Sequence, residues 1–436
     1  MPTEPVSLAA LGLAATFALI LLHVPVGVAM GLAGIAGFGL LVGWEPAFAM
    51  IASETSNAFS SLELATIPLF ILMGSFASAA GLSEDLYRLA YALIGHRRGG
   101  LASATIIGCA GFGAVCGSSV ATAATFGKAS LPSMLQRGYQ PGFAAGTVAA
   151  GGTLGILVPP SSIMVIYAVL AQELIITLYL AALVPSVIAV TLHLLIIRLH
   201  VGRHPELAPA GPRLSPAERW QAARSSWQVI VLAAIVIGGM ALGVFTATES
   251  AAVGAVLAGL FAFARGGMTG ARLRAVFDEA ATTSSMIYVL IIGASLFGYF
   301  AAVTQAPQAL TDTIASSGLS IPMILVLMMG MFIVAGAIFD EVAAMVITMP
   351  FVLPLVKSWG FDPVWWGIIN VVVIELGMLV PPLGMNVFVV HGVAPGIKLS
   401  AIYRGVAPYI ASNLVRLALL LAFPALALWL PAALKG

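Results

Sequence analysis

Long apolar blocks fill almost the whole chain, and short polar stretches separate them. A helix that crosses the roughly 30 Å hydrocarbon core of a bilayer needs about 20 largely apolar residues. Most of the blocks have about that length, so they predict an all-α polytopic membrane protein. The blocks lie at 6–22, 25–43, 63–81, 100–136, 141–170, 174–199, 227–245, 250–264, 282–303, 320–356, 363–393 and 406–431.

Two of the blocks, 100–136 and 320–356, are too long for one span and too short for two. Each is interrupted near its middle, by Gly-Ser-Ser at 117–119 and by Phe-Asp-Glu at 339–341. Irregular backbone at membrane depth is tolerated only where protein surrounds it or water reaches it. We therefore predict two re-entrant helical hairpins whose polar tips are buried in protein near the bilayer centre.

The basic residues test this topology, because cytoplasmic loops are enriched in Lys and Arg. With both hairpins returning to their own side, 15 of the 18 basic residues fall in the cytoplasm and both termini lie outside. The outer loops carry mostly acidic residues, from Glu4 to Asp312, with Lys357 and Lys435 as basic exceptions. The cytoplasmic set is Arg88, Arg97, Arg98, Lys128, Arg137, Arg198, Arg203, Arg213, Arg219, Arg224, Arg265, Arg272, Arg274, Lys398 and Arg404.

The chain aligns with itself at an offset of 222 residues, which brings 114–168 onto 336–390. The run Gly-x-Leu-Val-Pro-Pro occurs in both regions, at 155–160 and 377–382. Five spans precede the middle loop, so the second half starts on the opposite side and the repeat is inverted. Inverted repeats with discontinuous helices are a recurring construction of secondary transporters, in which hairpin tips and broken helix ends meet at the midplane.

The proline pairs at 159–160 and 381–382 each remove two backbone donors and prevent a continuous helix. The carbonyl groups freed in this way suit a cation. The half-helices that follow present free N–H groups near Ser161 and Leu383, which suit a carboxylate. The alternative is that the prolines only kink packed helices, but their recurrence at one offset favours a binding role.

The tip of the first hairpin is rich in hydroxyl groups and flexible backbone. Ser118, Ser119 and Thr122 lie there, and hydroxyl and carbonyl oxygens suit a hard monovalent cation. We expect these residues to contact an ion or a substrate. The alternative is that small residues serve close helix packing, with hydroxyls bonded back to carbonyls.

The tip of the second hairpin carries carboxylates, which are costly inside a membrane unless they are paired or functional. Asp340 is the strongest candidate for a sodium-site carboxylate, unless it is protonated and hydrogen-bonded, and Glu341 and Glu375 are weaker candidates. Glu375 aligns with Thr153 beside the first break, so we expect that pair to line one cavity. Asn386 either orients polar groups of a substrate or makes an interhelical hydrogen bond.

Composition excludes several classes of function. Hydrophobic residues make up 61% of the chain and charged residues only 8%, against roughly 25% charged in soluble domains. A large soluble domain is therefore excluded, and the net charge of +1 gives no reason to expect a nucleic-acid partner. Cys109 and Cys116 lie seven apart in an apolar block, which indicates packing rather than a metal or disulfide framework.

The chain contains no phosphate-binding loop. Gly127-Lys128 is its one Gly-Lys pair, and Thr122 stands where such a loop needs its first glycine. Energy must therefore come from an ion gradient or a partner chain. The first residues lack the positive region of a secretory signal, so the first apolar block is expected to be a retained span.

At these residues the chain resembles the large membrane (permease, M-type) subunit of tripartite ATP-independent periplasmic (TRAP) transporters. The resemblance rests on Gly-Ser-Ser-Val-Ala-Thr at 117–122, the run at 151–161, Asp340, and Pro-Pro-x-Gly-x-Asn at 381–386. It implies a multi-pass protein of the bacterial inner membrane, coupled to sodium and moving as an elevator. It also implies two partners, a small four-helix membrane subunit and a periplasmic substrate-binding protein. Because the chain opens directly into its first span, the small subunit is expected to be a separate chain.

The family pattern also implies where the ligands bind. Sodium sites would lie where the hairpin tips meet the broken helices, at Ser118, Ser119, Gly155, Asp340 and Gly377. Together with the reading of the residues above, this gives Thr122, Thr153, Ser161 and Asn386 as the substrate set. The substrate is expected to be a small organic anion with a carboxylate, with C4-dicarboxylates, sugar acids and sialic acids all open. No cofactor is expected beyond sodium as the coupling ion.

The same reasoning divides the chain into a moving transport domain and a scaffold. The two transport halves are 100–170 and 304–393. The scaffold comprises 1–99, 171–303 with a cytoplasmic loop at 200–226, and 394–436.

Two rival interpretations remain at this point. One is a stand-alone divalent-anion or ion:proton transporter of related hairpin architecture that needs no binding protein. The other is an intramembrane enzyme that uses Asp340 and Glu341 as an acid–base pair. Adjacent residues on one helix point about 100° apart, so the enzyme interpretation is disfavoured.

Overall fold

The structure is a computed structural model that describes residues 5–434, in which every regular element is a helix. Glu4 and Lys435, both assigned to the outer side above, fall outside the described residues. The first half contains α1 (Pro5–Leu21), α2 (Val26–Val42), α3 (Trp44–Ser60), α4 (Thr66–Ala79), α5 (Leu82–Ile94), α6 (Gly100–Cys116), α7 (Ser119–Ala129), α8 (Leu131–Gln136), α9 (Pro141–Leu157), α10 (Ser162–Ala171) and α11 (Ile175–Arg203).

The second half follows a short 3₁₀ turn at Pro205–Leu207. Its helices are α12 (Pro216–Ser225), α13 (Trp227–Ala241), α14 (Ala247–Ala264), α15 (Gly270–Val303), α16 (Ala306–Ser316), α17 (Ile321–Ile338), α18 (Glu341–Ser358), α19 (Pro363–Gly377), α20 (Met385–Val393), α21 (Leu399–Ala422) and α22 (Ala425–Leu434). Six described helices are long and apolar enough to span a membrane, or up to nine if each bent helix pair counts as one span. The chain is a multi-pass membrane protein.

The two predicted hairpins are confirmed. In hairpin 1, α6 ends at Gly117, whose φ of +65° is easily adopted only by glycine, and Ser118 begins α7 as its N-cap. In hairpin 2, Phe339 ends α17 and Asp340 begins α18 as its N-cap. Ser118 and Asp340 are 222 residues apart, so equivalent positions of the repeat start the second arm of each hairpin.

The two predicted broken helices are also confirmed. The axis bends by 41° between α9 and α10, and α19 is separated from α20 by residues 378–384. The Pro-Pro peptide bond in each break is cis. Each first half starts with proline at its first position, where the missing N–H costs nothing, after a capping side chain from Gln140 or Asp362.

The repeats interlock. Each hairpin packs on the first half of its own broken helix, α6 and α7 on α9, and α17 and α18 on α19. The second half of each broken helix packs on the other repeat, α20 against α7 and α9, and α10 against α18. Nearly every residue of α9 and α19 is buried. The tip of hairpin 1 and the first break lie in the protein interior, whereas residues 381–383 of the second break are exposed and Asp340 is half-buried, so the predicted burial of the tips holds fully only for the first repeat.

The helices around this centre form a frame that faces the lipid. The most extensive helix packing in this frame is between α2 and α15. A Cβ atom added to Gly34 of α2 would lie 2.6 Å from the Phe297 backbone nitrogen of α15. Glycine there lets two long helices approach closely. The outward faces carry large exposed apolar side chains, such as Leu40 and Val256.

The structure adds helices that the apolar pattern missed. The polar, amphipathic α3 and α16 fall where only loops were expected, because both are too short and too polar to count as spans. The block at 406–431 is two helices, since α21 already begins at Leu399 and Pro424 separates it from α22. Cys109 and Cys116 are buried free thiols on α6, as the packing interpretation predicts.

Candidate functional site

Hairpin 1 touches the broken helix α9 at a glycine. A Cβ atom added to Gly155 would lie 2.5 Å from Thr122 Oγ1 and 2.6 Å from the Ser118 carbonyl oxygen. A Cβ added to Gly113 would lie 2.9 Å from the Gly155 Cα. Only glycine at 155 therefore allows the tip of hairpin 1 to seat on the end of α9, and three predicted site residues meet there.

The tip is held together by its own hydroxyl groups. Ser118 Oγ accepts from the Ala121 N–H at 3.4 Å, and Thr122 Oγ1 donates to the Ser118 carbonyl at 2.7 Å. Two serine oxygens and a threonine oxygen are thus concentrated at the N-terminus of α7. The local hydrogen bonds are those of the packing alternative, and they also fix the direction of oxygens that suit a sodium ion.

Asn386 joins the two repeats. Its Nδ2 donates to Ser119 Oγ at 2.7 Å and to the Ala149 carbonyl at 3.2 Å, and its backbone N–H donates to the Met378 carbonyl at 3.2 Å. The side chain is fully buried. One residue therefore links the tip of hairpin 1, the helix α9 and the break after α19, and the interhelical bond considered above is present.

The first break also contacts the tip. The Ser162 N–H donates to the Gly117 carbonyl at 3.4 Å, and a Cβ on Gly117 would lie 2.8 Å from the Pro160 carbonyl oxygen. Ser161 is fully buried, and its Oγ has no hydrogen-bond partner among residues 5–434. The Asn386 Oδ1 is likewise buried and unpartnered within that range. Buried polar atoms normally find partners, so these two oxygens suit a ligand.

The tip of hairpin 2 packs on its broken helix in the same way, but it carries the charged residue Asp340 where hairpin 1 has Ser118. A Cβ on Gly377 would lie 2.6 Å from the Ile333 carbonyl oxygen and 2.7 Å from the Gly336 Cα, so α19 seats on hairpin 2 through glycine as well. Asp340 Oδ1 accepts from the Val342 and Ala343 N–H groups at 2.9 and 3.0 Å, and the residue is half-buried. This capping accounts for one of its carboxylate oxygens.

The contacts of Thr153, Glu375 and Glu341 were not evident from the sequence. Thr153 is buried, but its hydroxyl donates to the Ala150 carbonyl at 2.9 Å within its own helix. Glu375, which the sequence repeat aligns with Thr153, forms a fully buried ion pair with Arg416 of α21. Glu341 is 8% exposed, and its Oε2 has no described partner.

A cavity of about 430 Å³ reaches the tip of hairpin 1. It lies between hairpin 1 and the frame helices α4, α5 and α15, on the side predicted to be cytoplasmic. Ser118 lies on its wall together with other hydroxyl side chains, and the charged residues of the lining are Glu84, Lys128 and Glu279. A pocket of this size suits a small organic molecule.

Lys128 and Glu279 were missed as site residues by the sequence reasoning. Lys128 was assigned to a loop, yet it lies in the last turn of α7 and forms no ion pair among the residues described. Glu279 lies on α15, far away in sequence. Lys128 lies ten residues after Ser118 on the same arm of hairpin 1, and this position could have suggested that Lys128 belongs to the site.

Comparison with known proteins agrees with this architecture. The family described as "Tripartite ATP-independent periplasmic transporter, DctM component" matches residues 13–426. The C4-dicarboxylate TRAP transporter large permease protein DctM of Pseudomonas aeruginosa is 36% identical over 87% of each chain. The isethionate TRAP transporter permease protein DctMQ of Oleidesulfovibrio alaskensis is 34% identical over 94% of this chain and 64% of its own length.

Two more distant proteins extend the comparison. The sialic acid TRAP transporter large permease protein SiaM of Vibrio cholerae is 29% identical over 88% of this chain and 90% of its own length. The crystal structure of the Alcanivorax borkumensis YdaH transporter superposes over 99% of each chain with a TM-score of 0.61 at 15% identity, which shows a shared fold. With a family match along nearly the whole chain and the paired hairpins and broken helices in place, the chain belongs to the DctM components of the tripartite ATP-independent periplasmic transporters.

Proposed function

We propose that this chain is the permease subunit of a sodium-coupled importer of small organic anions. The observation that carries the proposal is the seat of the hairpin 1 tip on Gly155 at the inner end of an open cavity. There, oxygens suited to a cation and half-helix N-termini suited to a carboxylate are brought together. Relatives named for C4-dicarboxylate, isethionate and sialic acid transport support an organic anion as the substrate class.

Sodium would bind where the tips meet the breaks. In the first repeat, oxygens of Ser118, Ser119 and the backbone at Gly155 would surround it. In the second repeat, Asp340 and the backbone at Gly377 would do so, with the Asp340 oxygen that does not cap α18 facing the ion. Hard cations prefer such oxygen ligands.

The substrate would bind beside the first sodium site. The unpartnered oxygens of Ser161 and Asn386, together with Thr122 and Thr153, supply polar groups, and the N-terminus of α10 supplies partial positive charge. The carboxylate would enter this region from the cavity that Lys128 borders.

Transport would follow an elevator motion in the inner membrane. Hairpins and broken helices at 100–170 and 304–393 would slide against the surrounding helices once sodium and substrate order both tips. A small membrane subunit and a periplasmic binding protein would complete the transporter, as the tripartite family description suggests.

The test is uptake of radiolabelled organic acids into proteoliposomes containing this chain and its small subunit, with and without a sodium gradient and the binding protein. Uptake that needs both supports the proposal. Uptake without the binding protein would instead indicate the stand-alone carrier, and uptake without sodium would contradict sodium coupling.

Asp340→Asn sharpens the test, because Asn still caps α18 but removes the charge. We expect the sodium concentration for half-maximal uptake to rise about tenfold or more. Asp362→Asn is the matched control, since Asp362 caps α19 through the same pair of bonds, to Val364 and Trp365, away from both tips. Equal effects of the two substitutions would remove Asp340 from the sodium site.

A further inference from the structure

A second cavity, of about 630 Å³, lies at the base of hairpin 1 and shares no lining residue with the cavity at its tip. It is bordered by the loop between α5 and α6 and by the last third of α11. Three arginines line it, Arg97 and Arg98 from the loop and Arg198 from α11. No acidic residue is among its lining residues.

The three arginines have no partner to neutralise them. Each is exposed, and none forms a side-chain hydrogen bond or ion pair among residues 5–434, although Arg88, Arg265, Arg274 and Arg416 do. The α6 helix starts at Gly100 in the same wall and adds the partial positive charge of its N-terminus. The cavity is therefore built for an anion.

The surrounding field has the same sign. Loss of hydration, followed by the charges of Arg213, Arg97 and Arg219, lowers the pKa of His96 below its ordinary value. Neighbouring basic groups thus reinforce the positive potential around the loop. The loop itself is fixed, since the Gly99 N–H donates to the Ala208 carbonyl at 3.2 Å.

The other end of the cavity is apolar. Leu194 and Leu195 lie about one turn from Arg198 toward the bilayer, and Ile107 lies two turns along α6 from the loop. Leu195 and Ile107 are exposed on the membrane surface of the protein, at 47% and 37%. A soluble anion would gain nothing from this wall, whereas a lipid would place its headgroup on the arginines and an acyl chain along the leucines.

We propose that this cavity binds the phosphate headgroup of an anionic phospholipid of the cytoplasmic leaflet. Basic pockets between transmembrane helices on that side are suited to such headgroups. The α6 helix rises about 25 Å from this base to the tip of hairpin 1, so the lipid lies at the membrane interface and not at the transport site. The site is independent of the substrate and the coupling ion.

The experiment is native mass spectrometry of the full chain, purified in detergent and titrated with phosphatidylglycerol or with phosphatidylcholine of the same acyl chains. We expect phosphatidylglycerol to bind about fivefold or more tightly than phosphatidylcholine. The triple variant Arg97→Gln, Arg98→Gln, Arg198→Gln removes the difference, and the single variant Arg98→Gln reduces it. Arg224→Gln is the matched control, because it removes one exposed, unpaired arginine on the same side that lies outside the cavity.

Two further experiments distinguish a lipid headgroup from a soluble phosphate as the bound anion. Ile107→Trp fills the apolar wall and leaves all three arginines, so it should weaken phosphatidylglycerol binding on its own. Glycerol 3-phosphate should not compete at concentrations that match the lipid. The proposal is overturned if the triple variant keeps the preference, if Arg224→Gln lowers it as much as Arg98→Gln, or if glycerol 3-phosphate displaces the lipid.

Discussion

Arg416 of α21 and Glu375 of α19 form an ion pair in which neither side chain has any exposed surface. Glu375 lies two residues before Gly377, at the end of α19 where its break begins. The same α21 is joined to α9 through Tyr409, whose hydroxyl lies 2.7 Å from Thr147 Oγ1. Both broken helices are therefore joined to one neighbouring helix, α21, which lies in the range 394–436 that the sequence analysis assigns to the scaffold.

Removing one member of this pair should be far more harmful than removing both. We expect Arg416→Met to destabilise the folded protein by about 3–5 kcal/mol, because it leaves a buried carboxylate without a partner. The double variant Arg416→Met, Glu375→Gln should recover most of that loss. Thermal unfolding of the purified single and double variants, monitored by size-exclusion chromatography, measures both effects.

Arg404→Gln serves as the control, since Arg404 lies exposed on the same helix and its Nε donates only to the Ser400 carbonyl at 3.3 Å. It should unfold at the wild-type temperature. A single variant Arg416→Met as stable as the wild type would show that the pair contributes nothing to stability.

This ion pair is a contact that could not be predicted from the sequence, unlike the hairpins and helix breaks. Proline pairs and the Gly-Ser-Ser tip are local signals, so hairpins and breaks could be predicted from their own residues. Arg416 lies inside an apolar block, and its partner is 41 residues away on another helix, so only tertiary packing reveals that Glu375 is neutralised. The cavity at hairpin 1 could not be predicted for the same reason, because Lys128 and Glu279 lie on separate helices that only the tertiary fold brings together.

The glycine at the first break gives a steric prediction. Gly155→Ala would place a Cβ atom 2.5 Å from Thr122 Oγ1 and 2.6 Å from a backbone oxygen that cannot rotate away. Overpacking of this kind costs about 1–3 kcal/mol, and we expect it to separate the tip from α9 and reduce initial uptake about tenfold. Uptake by equal amounts of reconstituted protein is the measurement.

Gly330→Ala is its control, because Gly330 lies on an arm of hairpin 2 with nothing within 4 Å of an added Cβ. That variant should transport normally. If Gly155→Ala also transports at the wild-type rate, the close contact seen here is not needed for function.

Asn386 and Ser119 should act as a unit. Asn386→Ala removes the donor to Ser119 Oγ and to the Ala149 carbonyl, and Ser119→Ala removes the acceptor. Loss of a buried hydrogen bond that leaves one partner unsatisfied costs about 1–3 kcal/mol, so each variant should raise the substrate KM about tenfold. The double variant should be little worse than either single one, and strictly additive effects in this cycle would contradict the coupling.

The cavity at hairpin 1 predicts which residues a water-soluble reagent can reach. Thr125 lines the cavity, whereas Thr105 on the other arm of the same hairpin is fully buried and outside it. In a chain with Cys109→Ala and Cys116→Ala, we expect Thr125→Cys to react with a membrane-impermeant maleimide added to inside-out vesicles, and Thr105→Cys to remain unlabelled. Sodium and substrate together should slow the reaction of Thr125→Cys if the tip closes over its ligands. Labelling of Thr125→Cys only in right-side-out vesicles would reverse the membrane orientation. Absence of labelling from either side would show that the cavity is closed to water, and equal labelling of both cysteines would show that access does not depend on the cavity.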